Sequence, residues 1–271
     1  MTDLFSCAGK TAVITGGSGV LGFAMAQALG SAGAKIALIA RDEEKLNEKT
    51  EDLRKQGFSA TYVAASVTSK EELLEAKAKV KKDLGGVDIL VNSAGGNMSG
   101  ATISHDQNFF DLDIDAYRNV VDLNLVGSVL PSMVFGEDMA EKKKGSIVNI
   151  SSMTASKPIS RVLGYGNSKA AIDNFTKWLS TELIAKYGEG IRVNAIAPGF
   201  FLTEQNRSLL TNPDGSYTDR AKAILSNTPF NRFGKPEELG GTLVWLCSDA
   251  SSFVTGVVVP VDGGFSSYGG L

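Results

Sequence analysis

A serine, a tyrosine thirteen positions on and a lysine four further on (Ser152, Tyr165 and Lys169) are the residues whose spacing can do chemistry. Of six tyrosines, only Tyr165 has a lysine at the fourth following position. Residues four apart on a helix share a face, so the ammonium can stand beside the phenol. A phenol ionises near about pH 10 unaided, and a fixed positive charge favours the phenolate. The Ser152 hydroxyl can then hydrogen-bond a carbonyl oxygen that Tyr165 protonates or deprotonates. This is equipment for moving a proton on and off an alcohol oxygen while a hydride moves at its carbon.

Elements must hold these groups in place, and the chain alternates short apolar runs with longer amphipathic stretches. Strands are expected at 11–15, 35–40, 59–63, 87–92, 145–151, 191–196 and 257–261, and helices at 21–33, 43–57, 69–84, 114–141, 165–187 and 236–248. Most of the strand segments are rich in Val and Ile without polar alternation, as in a parallel sheet covered on both faces. The alternation predicts one α/β domain over 1–271, a Rossmann-type doubly wound parallel sheet of about seven strands flanked by helices. Residues 200–233 break the rhythm and contain Thr211-Asn212-Pro213-Asp214-Gly215, a turn signal. An excursion of that length in a compact fold is expected to be functional, here a lid over substrate.

Directly after the first strand comes Thr15-Gly16-Gly17-Ser18-Gly19-Val20-Leu21-Gly22, opening a helix. Glycines there let the backbone approach a pyrophosphate, whose charge suits a helix N-terminus. The second strand ends at Ala40, followed by Arg41 and Asp42. In a dinucleotide fold an arginine here admits the 2′-phosphate of NADP, whereas an acid favours NAD. Arg41 tips the expectation to NADP, while Asp42 keeps NAD possible.

Composition narrows the classes. With 271 residues, 43% hydrophobic and 21% charged, the chain reads as an ordinary globular protein. A net charge of −3, with no basic run beyond Lys142–Lys144, argues against nucleic acid as partner. Two cysteines, Cys7 and Cys247, and one histidine, His105, provide neither a disulfide framework nor zinc spacing. No leader pattern and no apolar stretch of membrane length is evident, so the expected location is cytoplasmic and no membrane is expected as partner.

With these pieces in order, the chain resembles the short-chain dehydrogenase/reductases over essentially its whole length. The family's Ser…Tyr-x-x-x-Lys set matches Ser152, Tyr165 and Lys169, and its Asn-x-Ala-Gly motif matches Asn92-Ser93-Ala94-Gly95. Its fourth catalytic residue matches Asn124, and Pro198-Gly199-Phe200-Phe201-Leu202-Thr203 matches the segment the family places around the nicotinamide carboxamide. Thr255-Gly256 and Val261-Asp262-Gly263-Gly264 resemble its closing strand. The resemblance implies that Tyr165 is the general acid/base and that Lys169 lowers its pKa and binds the nicotinamide ribose. It further implies that Ser152 orients the carbonyl and that Asn124 holds a water linking Lys169 to solvent. Asn92, Ala94, Gly95, Pro198, Gly199 and Thr203 would line the cofactor cleft, and the usual assembly is a tetramer or dimer. Two positions depart from the pattern: Val20 stands at the middle glycine of the loop, and Ser66, before Val67, replaces an acid near the adenine.

Segments such as Asn92-Ser93-Ala94-Gly95-Gly96-Asn97, Phe109-Phe110-Asp111-Leu112-Asp113 and Glu204-Gln205-Asn206-Arg207 further resemble the D-mannonate oxidoreductase (fructuronate reductase) branch. That implies a six-carbon keto-acid sugar as substrate, reduced at a ketone. A sugar acid needs a cation for its carboxylate, and Arg161 or Arg207 can form a bidentate clamp; either is equally a surface arginine paired with an acid. Asn97 can reach a substrate hydroxyl, or serve simply as a turn former. His105 reads as incidental, and Trp178 and Trp245 as core or subunit contacts. Two rival readings are a reductase of another carbonyl, such as a 3-oxoacyl thioester or a keto-gluconate, and a non-catalytic dinucleotide sensor.

Overall fold

Seven apolar segments pair into one parallel sheet: β1 (Thr11–Thr15), β2 (Lys35–Ala40), β3 (Ala60–Ala64), β4 (Ile89–Asn92), β5 (Gly145–Ile150), β6 (Ile191–Pro198) and β7 (Val258–Val261). The computed structural model describes residues 3–104 and 106–270. The strand order is β3-β2-β1-β4-β5-β6-β7. Every residue of β1 and of β6 is buried, which is why these strands show no polar alternation.

Helices α1 (Val20–Ser31), α2 (Glu43–Lys55), α3 (Lys70–Leu84), α4 (Ile114–Val121), α5 (Gly127–Lys142), α6 (Leu163–Tyr187), α7 (Glu204–Leu210), α8 (Asp219–Ser226) and α9 (Gly240–Cys247) complete the layers. One core, around Ile14, Met25, Leu38 and Leu246, lies on the α1 and α9 side. A second, around Val80, Leu90, Phe135 and Ile147, lies beneath α3 and α5. The sheet is the Rossmann-like α/β arrangement. Its strand order reverses at β1 and β4, where the connections diverge and open a crevice at the strands' carboxyl ends.

Two expectations change. The helix expected over 114–141 is α4 and α5 joined by a π-helical stretch, Asp122–Val126. The 114–142 run is also, among the described residues, long and apolar enough to match a membrane span, contrary to the sequence reading. Its apolar character has a local use, because Val134, Phe135 and Met139 are buried against the sheet. The excursion after β6 carries helices of its own. It contains α7 and α8, whose Leu210, Ala221 and Leu225 bury a small cluster with Phe233, backed by Phe200 and Leu202.

Candidate active site

β5 delivers Ser152 just past its last residue, and α6 delivers Tyr165 and Lys169 from its first two turns. Ser152 caps a short turn, its Oγ accepting from the Thr154 amide at 3.2 Å. The same side chain hydrogen-bonds the Tyr165 hydroxyl. Burial raises the Tyr165 pKa above the ordinary phenol value, and the Ser152 contact only partly opposes this. Tyr165 is therefore a neutral phenol at ordinary pH, ready to give a proton.

Lys169 is 4% exposed and donates from Nζ to the Ile150 carbonyl at 2.7 Å. Burial lowers its pKa to about 8, with the Asp173 carboxylate one turn on pulling the other way. Asp173 itself accepts from the Ser151 hydroxyl, and burial raises its pKa. The ammonium lies over the Tyr165 ring, 5.3 Å from its centroid. The expected lowering of the phenol pKa by Lys169 is not the outcome of this arrangement, since burial of the phenol dominates.

Asn124 sits in the π-helical stretch, fully buried. Such bulges recur at functional sites because they turn side chains out of the regular α register. Its Nδ2 donates to the Gly96 carbonyl at 2.7 Å and the Val120 carbonyl at 2.8 Å, and its Oδ1 accepts from the Gly96 amide. One amide hydrogen and the amide oxygen thus fix Gly96, while the other hydrogen goes to the Val120 carbonyl one turn back. Gly95 makes the approach possible, since a Cβ there would stand 2.6 Å from Asn124 Oδ1.

The dinucleotide cleft runs from α1 past these groups to β6. Gly16, Ser18, Gly19, Val20, Leu21 and Gly22 line it. Gly16 turns with φ +66°, and a Cβ on Gly22 would lie 2.3 Å from the Gly16 carbonyl oxygen. α1 begins at the side-chain-less cap Gly19, with no acid in its first turn, so its free amides face the cleft unopposed. A helix N-terminus without a cap side chain or an acid fits a pyrophosphate. Gly17 departs from expectation: it is buried, its amide donates to the Ile39 carbonyl, and its missing side chain makes room for Leu38.

Arg41, Asp42, Ser66, Val67, Ala94 and Gly95 also line the cleft. Asp42 caps α2, accepting from the Lys45 amide at 3.1 Å, whereas Arg41 has no side-chain partner among the described residues. Asn92, expected here, is 1% exposed and points away. Its Nδ2 donates to Ser132 Oγ at 2.9 Å and Asn149 Oδ1 at 2.8 Å, because strand alternation turns it toward α5. At the other end Pro198, Gly199 and Thr203 line the cleft, joined by Phe200, Phe201 and Asn206. Asn206, which the sequence reading did not single out, is betrayed by a Thr-x-x-Asn spacing: it accepts from the Thr203 amide at 2.8 Å, as in a capping box.

The expected substrate residues Asn97, Arg161 and Arg207 lie outside this lining. Asn97 donates to Thr102 Oγ1 at 2.8 Å, and Arg207 is exposed on α7. Arg161 is exposed with φ +79°. His105 falls outside the described residues. Trp178 is 57% exposed and so is no core residue, whereas Trp245 packs beside the first core. Burial raises the pKa of both Cys7 and Cys247, leaving inert thiols.

Comparison with known proteins agrees with this geometry. The profile of the family described as enoyl-(acyl carrier protein) reductase matches residues 18–266. An uncharacterized oxidoreductase of Bacillus subtilis is 45% identical over 97% of each chain. A candidate D-mannonate oxidoreductase from Haemophilus influenzae, solved with NAD bound, is 42% identical over 98% of each chain, with a TM-score of 0.91. A gluconate 5-dehydrogenase from Burkholderia cenocepacia, solved with NADP and tartrate, is 31% identical over 98% of each chain, with a TM-score of 0.85. Site geometry, fold and likeness meet in one conclusion: the chain belongs to the short-chain dehydrogenase/reductase family and is an oxidoreductase that uses a nicotinamide dinucleotide.

Proposed function

We propose that this enzyme reduces a ketone of a six-carbon keto-acid sugar, of the D-fructuronate/D-mannonate type, to a secondary alcohol, with NADPH preferred over NADH. The observation that carries the reading is the neutral Tyr165 phenol hydrogen-bonded to Ser152 at the end of a dinucleotide cleft. The nicotinamide dinucleotide supplies the hydride when bound. The substrate carbonyl lies between Ser152 and Tyr165, where the serine hydroxyl orients its oxygen and Tyr165 delivers the proton. Lys169, held by the Ile150 carbonyl, binds the ribose hydroxyls and keeps a positive charge beside the phenol. Asn124 positions the Gly95–Gly96 chain on which the cleft wall depends.

Names borne by similar proteins, D-mannonate oxidoreductase and gluconate 5-dehydrogenase, support a sugar acid as substrate. The second of them also favours a keto-gluconate as the alternative. NADPH preference rests on Arg41, which is unpartnered at the ribose end, while Asp42 is engaged at the α2 cap. The excursion at 200–233 serves as the substrate lid of a single catalytic domain, and α4, α5 and α6 offer the faces for a homodimer or homotetramer. The protein works in the cytoplasm.

The test is loss of reduced-nicotinamide absorbance with NADPH and NADH in parallel, against D-fructuronate and 5-keto-D-gluconate. Turnover of D-fructuronate that disappears in Tyr165→Phe is the expected result. Faster turnover of 5-keto-D-gluconate moves the assignment to the alternative, and turnover of neither sugar acid sinks it.

A further inference from the structure

Three neighbouring strands, β5, β6 and β7, end side by side at the carboxyl edge of the sheet. Main-chain hydrogen bonds hold them together as far as Ser151, whose amide donates to the Ile196 carbonyl at 2.8 Å, and Gly199, whose amide donates to the Val261 carbonyl at 3.0 Å. Past that level each backbone leaves the sheet. The segment after β5 carries Ser152, the segment after β6 carries Phe200, which lines the cleft, and the segment after β7 turns at 263–267. A site that orients a carbonyl between such segments needs their spacing fixed where the ladder no longer does it.

Lys157 spans the gap. Its amide donates to the Met153 carbonyl at 3.0 Å, closing the short turn that Ser152 caps. Its ammonium reaches the segment after β7, donating to the Phe265 carbonyl at 2.8 Å and the Tyr268 carbonyl at 2.9 Å. The same ammonium lies 5.3 Å from the centroid of the Phe265 ring. That ring meets the Phe200 ring edge-on, with centroids 5.1 Å apart. The turn is braced on its own side: Asp262 accepts from the Gly264 and Ser266 amides at 2.9 and 2.7 Å, and the Gly263 carbonyl accepts from the Phe230 amide at 3.1 Å. Holding a long lysine side chain in one geometry costs conformational entropy, which two carbonyls and an aromatic face offset. A continuous set of contacts thereby runs from the serine turn through Lys157 and Phe265 to the Phe200 wall.

We propose that Lys157 is a positioning residue for carbonyl reduction: through Phe265 it sets the spacing between the Ser152 hydroxyl and the Phe200 wall, and with it the pose of the ketone. This rests on the ketone-reduction reading above, in which Ser152 orients the substrate oxygen. Lys157 does not itself line the cleft, so it acts only through these neighbours. With its ammonium gone, the serine turn and Phe200 move independently, and the carbonyl is less often held where Tyr165 can deliver its proton. Cofactor binding is untouched, because the glycine turn and Lys169 are held by other partners.

The experiment compares wild type with Lys157→Met, which keeps an unbranched stem, Lys157→Arg, which keeps a charged donor, and Phe265→Leu, which removes the ring. Steady-state kinetics are measured with D-fructuronate and NADPH, NADPH affinity by fluorescence, and amide hydrogen exchange over 153–157 and 199–201. The expected result for Lys157→Met is kcat lowered about 30-fold, less than the roughly 10²-fold that a 1 Å misplacement can cost, with NADPH affinity unchanged. Lys157→Arg recovers most of the rate, and Phe265→Leu reproduces much of the loss. The double variant Lys157→Met/Phe265→Leu loses less than the product of the single losses, because both changes cut one connection. Exchange rises over both segments together in Lys157→Met. Wild-type kcat in Lys157→Met overturns the proposal, as does full activity in Phe265→Leu or a failure of Lys157→Arg to recover the rate. NADPH affinity that falls in step with kcat also overturns it, since that marks general loosening. If the wild-type enzyme turns over no D-fructuronate, exchange decides: joint loosening of both segments keeps the Lys157 bridge and sinks the substrate reading, whereas unchanged exchange sinks the bridge.

Discussion

The two ends of the cleft are built by different means. The dinucleotide end rests on fully buried strands and on backbone: Gly16 and Gly22 pack against other main-chain atoms, and the binding groups are amides of α1. The substrate end rests on exposed loops and a small cluster of four buried residues beneath α7 and α8. The first end is rigid because an atom added at Gly16 or Gly22 meets backbone; the second is adjustable because α7 and α8 pack mainly on each other. A fold that keeps the cofactor constant and changes the substrate would be divided in this way.

The sharpest test of that division sits on the line between the two ends. Tyr165→Phe is expected to lower kcat about 10³-fold, the range of a lost general acid, while NADPH binding measured by fluorescence stays unchanged. Next comes the rigid end. Gly22→Ala places a Cβ 2.3 Å from the Gly16 oxygen and is expected to weaken NADPH binding about 10²-fold, because the tight turn at the pyrophosphate cannot relax. If Gly22→Ala binds NADPH normally, the supposed rigidity of that end is wrong.

A pH profile probes the charge shared by both ends. The free-enzyme kcat/KM is expected to fall about tenfold per pH unit above about 8, as Lys169 loses its proton. In Asp173→Asn the break moves lower, because a carboxylate that favours the ammonium is gone. Stability moves the opposite way. The folded pKa of Lys169 is depressed to about 8 from 10.5, so the unfolded chain binds more protons across that window and stability rises with pH there.

Smaller effects belong to the adjustable end and to cofactor choice. Phe233→Ala hollows the cluster under α8, and its ring also meets Tyr217 edge-on at 5.5 Å. KM for the sugar acid is expected to rise about tenfold with NADPH affinity intact, since the cavity loosens only the packing of α7 and α8. An equal loss of NADPH affinity would mean that the two ends are coupled. Arg41→Ala is expected to cost NADPH a few-fold to about tenfold in Kd and leave NADH unchanged, which equilibrium binding of each coenzyme reads directly.

How much of this was legible follows the same division. Strand positions were readable because a doubly covered parallel sheet demands unbroken β-branched apolar runs, and β1 and β2 begin and end where those runs do. The juxtaposition of Tyr165 and Lys169 was readable because helix geometry converts a spacing of four into one face. The break between α4 and α5 was not readable: nothing local distinguishes a π turn at Asn124, which arises where that amide reaches across to Gly96.

The sequence by itself determined the sheet, the glycine turn and the Ser152, Tyr165 and Lys169 set, since each depends on residues near one another in the chain. Tertiary structure alone decided the rest. It buried Asn92 against Ser132 and raised the Tyr165 pKa by enclosing the phenol. Burial and long-range charge depend on what packs around a residue, and spacing along the chain carries no record of that.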